Sequence, residues 1–311
     1  MSCLECGRCF AHYLAMRLIR DILKEHQALG KPSVSCEFFP AKTPEGEKAL
    51  LEKIVPRLKE INPAFFSVTY GAGGSTRDKT LGIVDVIQSE HKVPTMAHLT
   101  CVGSARDDIS KFLEDANSSG ISNILALRGD PPPGEESFVK AKGGFEFSHQ
   151  LVAFVKAQKR FCIGVAGFPE GHIACDEGRE VDWERLKAKV DCGADFIITQ
   201  LFFDNSDFYA FRDYLRKKGM DRPILAGIIP ILSARQIQRF TGLCGAKLTA
   251  EITTRLDELE GDDEAVRAFG IDYATRQCEE LIANGVEGLH FYTLNKSRAT
   301  VQVVKNLGLG Q

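Results

Sequence analysis

The chain has 311 residues, 44% hydrophobic and 26% charged, with a formal net charge of −3. That length suits one large barrel or two ordinary domains, with enough apolar content for a sizeable core. Acidic and basic residues are interspersed, which leaves no basic field for a nucleic acid. Apolar runs such as 161–168 and 223–232 fall far short of the roughly eighteen residues of a membrane span.

The N-terminus carries Glu5 and Arg8 and no long apolar stretch, so no secretory signal is expected and the chain is assigned to the cytoplasm. Cys3, Cys6 and Cys9 form a C-x-x-C-x-x-C run. Three thiols are one ligand short of a closed zinc or iron–sulfur site, so residues 1–12 are read as a tail and no metal is assigned. Cys36, Cys101, Cys162 and Cys192 stand singly in apolar strands or beside helices and read as small buried hydrophobes.

Leu14, Leu18, Ile19, Ile22 and Leu23 recur at helical spacing, which predicts a leading helix packed on the floor of the fold. From Ser33 onward, short β-branched or aromatic segments alternate with helical ones. Strands are predicted at 34–38, 65–69, 95–99, 124–127, 162–166, 196–200, 224–227 and 288–292. Helices are predicted near 45–60, 76–90, 106–119, 146–159, 182–192, 206–218, 233–241 and 263–284, with one more after Asn295. This alternation, unbroken by a linker, indicates a single (β/α)8 TIM barrel over residues 13–311. An open doubly wound sheet is the alternative, but Phe38-Phe39-Pro40-Ala41 after the first strand is no glycine-rich phosphate turn.

Barrel enzymes build their sites at the C-terminal ends of the strands. Glu37, Thr69, His98, Arg128 with Asp130, Gln200 and Tyr292 fall there, on six of the eight predicted strands. Glu37 sits among Cys36, Phe38 and Phe39, where a carboxyl is costly to ionise, as suits a general acid. A carboxylate paired with an arginine for structural reasons is the competing reading. The segment Arg128-Gly129-Asp130, followed by three prolines, is either a rigid ligand-facing loop or a structural salt bridge. The glycine-rich segment from Thr69 to Thr76 opens a helix and offers backbone N–H groups to an anion. Phe168 and His172 follow strand five; no carboxylate or cysteine stands at metal-ligand spacing beside His172 or His98.

Cys36-Glu37-Phe38-Phe39-Pro40, Ser67-Val68-Thr69-Tyr70-Gly71-Ala72, Ala97-His98-Leu99-Thr100-Cys101, Ala126-Leu127-Arg128-Gly129-Asp130, Thr199-Gln200-Leu201-Phe202-Phe203-Asp204 and His290-Phe291-Tyr292-Thr293-Leu294-Asn295 occur in that order. Together they closely resemble the methylenetetrahydrofolate reductase family, from about Ser33 to Gly308. The resemblance implies a barrel that binds FAD, is reduced by NADH or NADPH, and converts 5,10-methylenetetrahydrofolate to 5-methyltetrahydrofolate by a ping-pong route. It implies that Glu37 protonates folate N10 and that Asp130 lies near flavin and pterin. It assigns cofactor contacts to Thr69, Tyr70, Ala72, His98, Arg128, Gly129, Asp130, Ser148, Ala166, Phe168, His172, Asp182 and Lys189, and substrate contacts to Thr69, Asp130, Gln200, Tyr292 and Lys296.

Some relatives carry a stacking aromatic in the loop after strand seven, where this chain has Ala234. The sequence shows no long C-terminal regulatory region, so feedback by S-adenosylmethionine is not expected. A homo-oligomer, dimer or tetramer, is expected. The competing functions are a folate-binding subunit that takes electrons from a partner protein, and a pterin-dependent methyltransferase barrel.

Overall fold

The computed structural model describes residues 17–70, 77–131, 134 and 138–310. Ala72, most of the glycine-rich segment around it and the three tail cysteines therefore lie outside the described residues. Eight parallel strands close on themselves in chain order: β1 (Ser33–Phe38), β2 (Phe65–Val68), β3 (Thr95–Thr100), β4 (Asn123–Leu127), β5 (Cys162–Gly167), β6 (Phe196–Leu201), β7 (Ile224–Ile228) and β8 (Gly288–Tyr292). β1 pairs with β8 through Ser35↔His290 and Glu37↔Tyr292, which completes the ring.

The helices are α1 (Ile19–Ala28), α2 (44–59), α3 (77–91), α4 (Arg106–Ser118), α5 (Ser148–Ala157), α6 (Arg179–Asp191), α7 (Asn205–Lys217), α8 (Ala234–Cys244), α9 (Ala250–Glu258), α10 (Asp263–Ala283) and α11 (Arg298–Asn306). Two contain π-helical turns, Leu50–Ile54 in α2 and Ile87–His91 in α3. No helix among the described residues is long and apolar enough to cross a membrane.

Alternation along the strands divides the side chains between two cores. Outward residues such as Val34, Cys36, Phe38 and Phe66 join the helices in the largest cluster. Inward residues Phe65, Met96, Leu125, Cys162, Phe196, Ile198 and Leu225 fill the barrel. Ile19 and Leu23 of α1 join this inner group and close its floor, as the leading helical pattern predicts. Asn123 fixes the plug: its Oδ1 accepts the Ile19 N–H at 2.8 Å and its Nδ2 donates to the Arg17 carbonyl at 3.2 Å. Gly164 makes room for Phe196, whose ring would lie 2.7 Å from any Cβ at that position.

Three expectations need correction. Residues 250–258 form α9, for which the sequence reading has no element. Thr249 caps it by accepting the Ile252 N–H, and its apolar signal is short, with Ile252 and Leu256 as the buried pair. α6 starts at Arg179 rather than 182, because its first turn is polar and Gly178, at φ 98°, begins it without a side-chain cap. Cys192 is half-buried at the end of α6, whereas Cys36, Cys101 and Cys162 are buried.

Candidate active site at the C-terminal mouth of the barrel

Glu37 lies at the tip of β1 and is only 6% exposed. Its Oε2 is 3.4 Å from His98 Nε2 on β3 and 3.6 Å from His290 Nε2 on β8. Neither Nε2 makes an aligned hydrogen bond. Among the described residues no arginine pairs with Glu37; two imidazoles stand in the place of that structural partner. Burial drives the His98 pKa down to about 4, although neighbouring Glu37 pulls it upward, so the ring is neutral near pH 7. His290 is anchored from behind by Ser35, with Nδ1 and Oγ 2.8 Å apart.

Tyr292, beside Glu37 across the β1–β8 ladder, turns its hydroxyl to the Thr199 carbonyl at 2.6 Å. Burial first, and the charge of Glu37 second, push that hydroxyl well above its ordinary pKa, so it remains a donor. The register of β6 against β7 shifts between Ile198 and Leu201. Gln200 lies in this irregularity, and its Oε1 accepts the Leu201 N–H at 2.9 Å.

A second group gathers around the tips of β4 and β5. Gly129 has φ +85°, and a Cβ there would meet Val102 Cγ1 at 2.5 Å, so the position requires glycine. Arg128 lies over the Phe138 ring at 5.2 Å rather than pairing with Asp130, which is exposed. Lys189 of α6 donates to the Ala166 carbonyl at 2.8 Å, and burial lowers its pKa to about 8. Asp182 of the same helix accepts the His172 N–H at 3.2 Å. Burial raises the Asp182 pKa and lowers that of His172, and each group's charge opposes the shift of the other. The Phe168 and His172 rings meet edge to face at 4.5 Å.

Among the remaining sequence candidates, Thr69 adjoins the tip of β1, its N–H donating to the Phe38 carbonyl at 2.9 Å. The Thr69 carbonyl accepts the Thr80 hydroxyl at 2.8 Å, and the Tyr70 ring is buried against Phe112. Ser148 opens α5 half-buried, and Lys296 is exposed; neither side chain hydrogen-bonds another described residue. Ala234 is partly buried against the cluster formed by Ile229, Ile231 and Ile237.

Sequence reasoning missed His290, Ser35, Thr199 and Asn295. His290 and Ser35 were legible as inward partners of Tyr292 and Glu37 at a spacing of two. Thr199 bonds a backbone group of β7 and Asn295 those of Phe39 just past β1, and that leaves no local signal.

A closed parallel barrel with its titratable side chains gathered at the C-terminal strand ends has the arrangement of a (β/α)8-barrel enzyme. The family model of methylenetetrahydrofolate reductase matches residues 22–308. The chain is 42% identical over 299 residues to methylenetetrahydrofolate reductase (NADH) 1 of Arabidopsis thaliana, covering 93% of this chain and 50% of the plant protein. It is 35% identical over 293 residues to 5,10-methylenetetrahydrofolate reductase of Escherichia coli, covering 93% of this chain and 96% of the bacterial one. The chain thus belongs to the methylenetetrahydrofolate reductase family, and it spans about half the length of the plant relatives it matches. Among solved structures, a Clostridium thermocellum protein that binds two copies of 5-methyl-5,6,7,8-tetrahydrofolic acid shares the fold, with a TM-score of 0.61 at 15% identity, covering 91% of this chain and 97% of that one.

Proposed function

We propose that the chain reduces 5,10-methylenetetrahydrofolate to 5-methyltetrahydrofolate, with FAD as bound redox group and NADH or NADPH as electron donor. The observation that carries this reading is the buried Glu37 carboxyl among His98, His290 and Tyr292 at the barrel mouth. Opening the imidazolidine ring of the substrate requires a proton on N10, and a buried carboxyl suits that task. His98, held neutral by burial, faces the Glu37 carboxyl at 3.4 Å. Asp130, exposed beyond β4, and Gln200 are the polar groups we assign to orienting the pterin.

The residues around β3, β4 and β5 fit a flavin dinucleotide. Thr100 Oγ1 and His98 Nε2 are buried without a hydrogen-bond partner. Such an atom costs roughly 1–3 kcal/mol unless a ligand takes it up. Arg128 and Lys189 offer cationic heads to a pyrophosphate, Gly129 keeps the loop close to β3, and His172 and Asp182 complete the polar set. A flavin bound there would supply the hydride step between nucleotide and folate.

Anaerobic titration of the purified protein tests the reading. A yellow chromophore should bleach with NADH or NADPH and recover with methylenetetrahydrofolate. A colourless protein, or a flavin that neither nucleotide reduces, would exclude it.

A further inference from the structure

We propose that Phe39 is the face on which the p-aminobenzoyl ring of the folate lies, and that Asn295 is the positioning residue that holds Phe39 for it. The inference rests on the folate reading above and extends it to the part of the substrate beyond the pterin.

Val34, Cys36 and Phe38 face the helices from β1, and the same alternation carried one residue past the strand end puts Phe39 on the side of Glu37. It lies two residues, about 7 Å, farther toward the mouth. Phe38 is fully buried, whereas Phe39 is 38% exposed. Phe147 is the other exposed aromatic among the described large hydrophobics, and it already stacks on His149 at 5.7 Å. Phe39 has no ring neighbour among the described residues.

The backbone of Phe39 is held from both sides by one amide. Its N–H donates to Asn295 Oδ1 at 2.9 Å, and its carbonyl accepts from Asn295 Nδ2 at 2.8 Å. Two residues earlier on each segment, Thr293 Oγ1 donates to the Glu37 carbonyl at 2.6 Å. The acid and the open ring are thus fixed to the same loop by two parallel rungs. Leu294 and Asn295 hold left-handed φ values of 51° and 54°. Non-glycine residues rarely adopt that conformation, and here it accompanies the clamp on Phe39.

The chemistry identifies the occupant. Glu37 must reach N10, and N10 is bonded directly to the p-aminobenzoyl ring. The ring therefore lies one bond from the atom that receives the proton, on the side where Glu37 and Phe39 stand together. Aromatic faces in contact add affinity beyond the area they bury.

The test compares 5-methyltetrahydrofolate with 6-methyltetrahydropterin, which lacks the p-aminobenzoyl group, as ligands of the purified holoprotein. Phe39→Ala should weaken binding of the folate about ten-fold and leave the pterin within about two-fold, whereas Phe39→Tyr should bind both normally. Asn295→Ala should show a smaller loss confined to the folate, and the double variant should be no worse than Phe39→Ala alone. Equal losses for both ligands, or none, would overturn the placement while leaving the folate reading intact. Wild-type protein that bound neither ligand would overturn that reading and this inference with it.

Discussion

Tyr292 crosses the space above Gly227 to donate its hydroxyl to the Thr199 carbonyl at 2.6 Å, so β8 and β6 are tied over the strand between them. Any Cβ at Gly227 would lie 2.2 Å from the Thr199 carbonyl oxygen and 2.7 Å from the Tyr292 ring. The Gly227 N–H also donates to Thr199 Oγ1 at 2.9 Å, so its backbone cannot easily retreat. Gly227→Ala should destabilise the protein by about 1–3 kcal/mol through overpacking. Tyr292→Phe removes one hydrogen bond and should cost about 1 kcal/mol. Urea denaturation of both variants checks the order; an alanine variant as stable as wild type would contradict the close approach.

Glu37→Gln keeps the shape of the side chain and removes its acidity. Flavin content and the nucleotide half-reaction should be unchanged, while reduction of methylenetetrahydrofolate should fall by about 10²–10⁴-fold, the range of general acid catalysis. Stopped-flow measurement of the two half-reactions separates them. Folate reduction at the wild-type rate would remove Glu37 as the acid.

If Lys189 holds the flavin pyrophosphate as proposed, flavin affinity should depend on pH. Burial lowers its pKa to about 8, and its ammonium group spends one of three donors on the Ala166 carbonyl. A bound phosphate favours the protonated form, so FAD should bind most tightly below about pH 8 and more weakly as the pH rises above it. In the apoprotein the sign follows from the lowered folded pKa. Between about pH 8 and 10.5 the unfolded chain binds more protons, so stability should rise with pH across that window. Lys189→Met should flatten both profiles, as fluorescence titration of FAD and denaturation at several pH values would show.

The strands were legible because β-branched and aromatic residues recur in short runs, and the strand-tip rule then picked out Glu37, His98 and Gln200 without coordinates. The surroundings of Glu37 were not. Nothing near Glu37 in sequence announces His98, 61 residues on, or His290, 253 residues on, as its neighbours; ring closure between β1 and β8 brings the second of them in. α9 escaped because Ile252 and Leu256 give it only one buried i,i+4 pair among threonines and charged residues. Asn295 escaped because its role is to bond a backbone, and almost any residue type at position 39 would have offered the same two groups.

The end of β6 is held by α10, which carries no residue of the candidate site. Tyr273 donates to the Phe203 carbonyl at 2.8 Å, and Gln277, one turn later, donates from Nε2 to the Phe202 carbonyl at 2.9 Å. Asn205 in turn donates to the Gln277 carbonyl at 3.1 Å, closing the link between α7 and α10. These two held carbonyls follow Gln200 by two and three residues, so the helix governs how the β6 tip is presented. Gln277→Leu keeps most of the volume but leaves the carbonyl of buried Phe202 unpaired, which should cost about 1–3 kcal/mol of stability. If Gln200 contacts folate, KM for methylenetetrahydrofolate should rise several-fold while nucleotide-driven flavin reduction stays at the wild-type rate. Tyr273→Phe should act in the same direction, and the double variant should lose less than the two single losses combined, because both bonds restrain one segment. Strict additivity in KM, or equal damage to the nucleotide half-reaction, would show that α10 supports the barrel as a whole rather than the β6 tip.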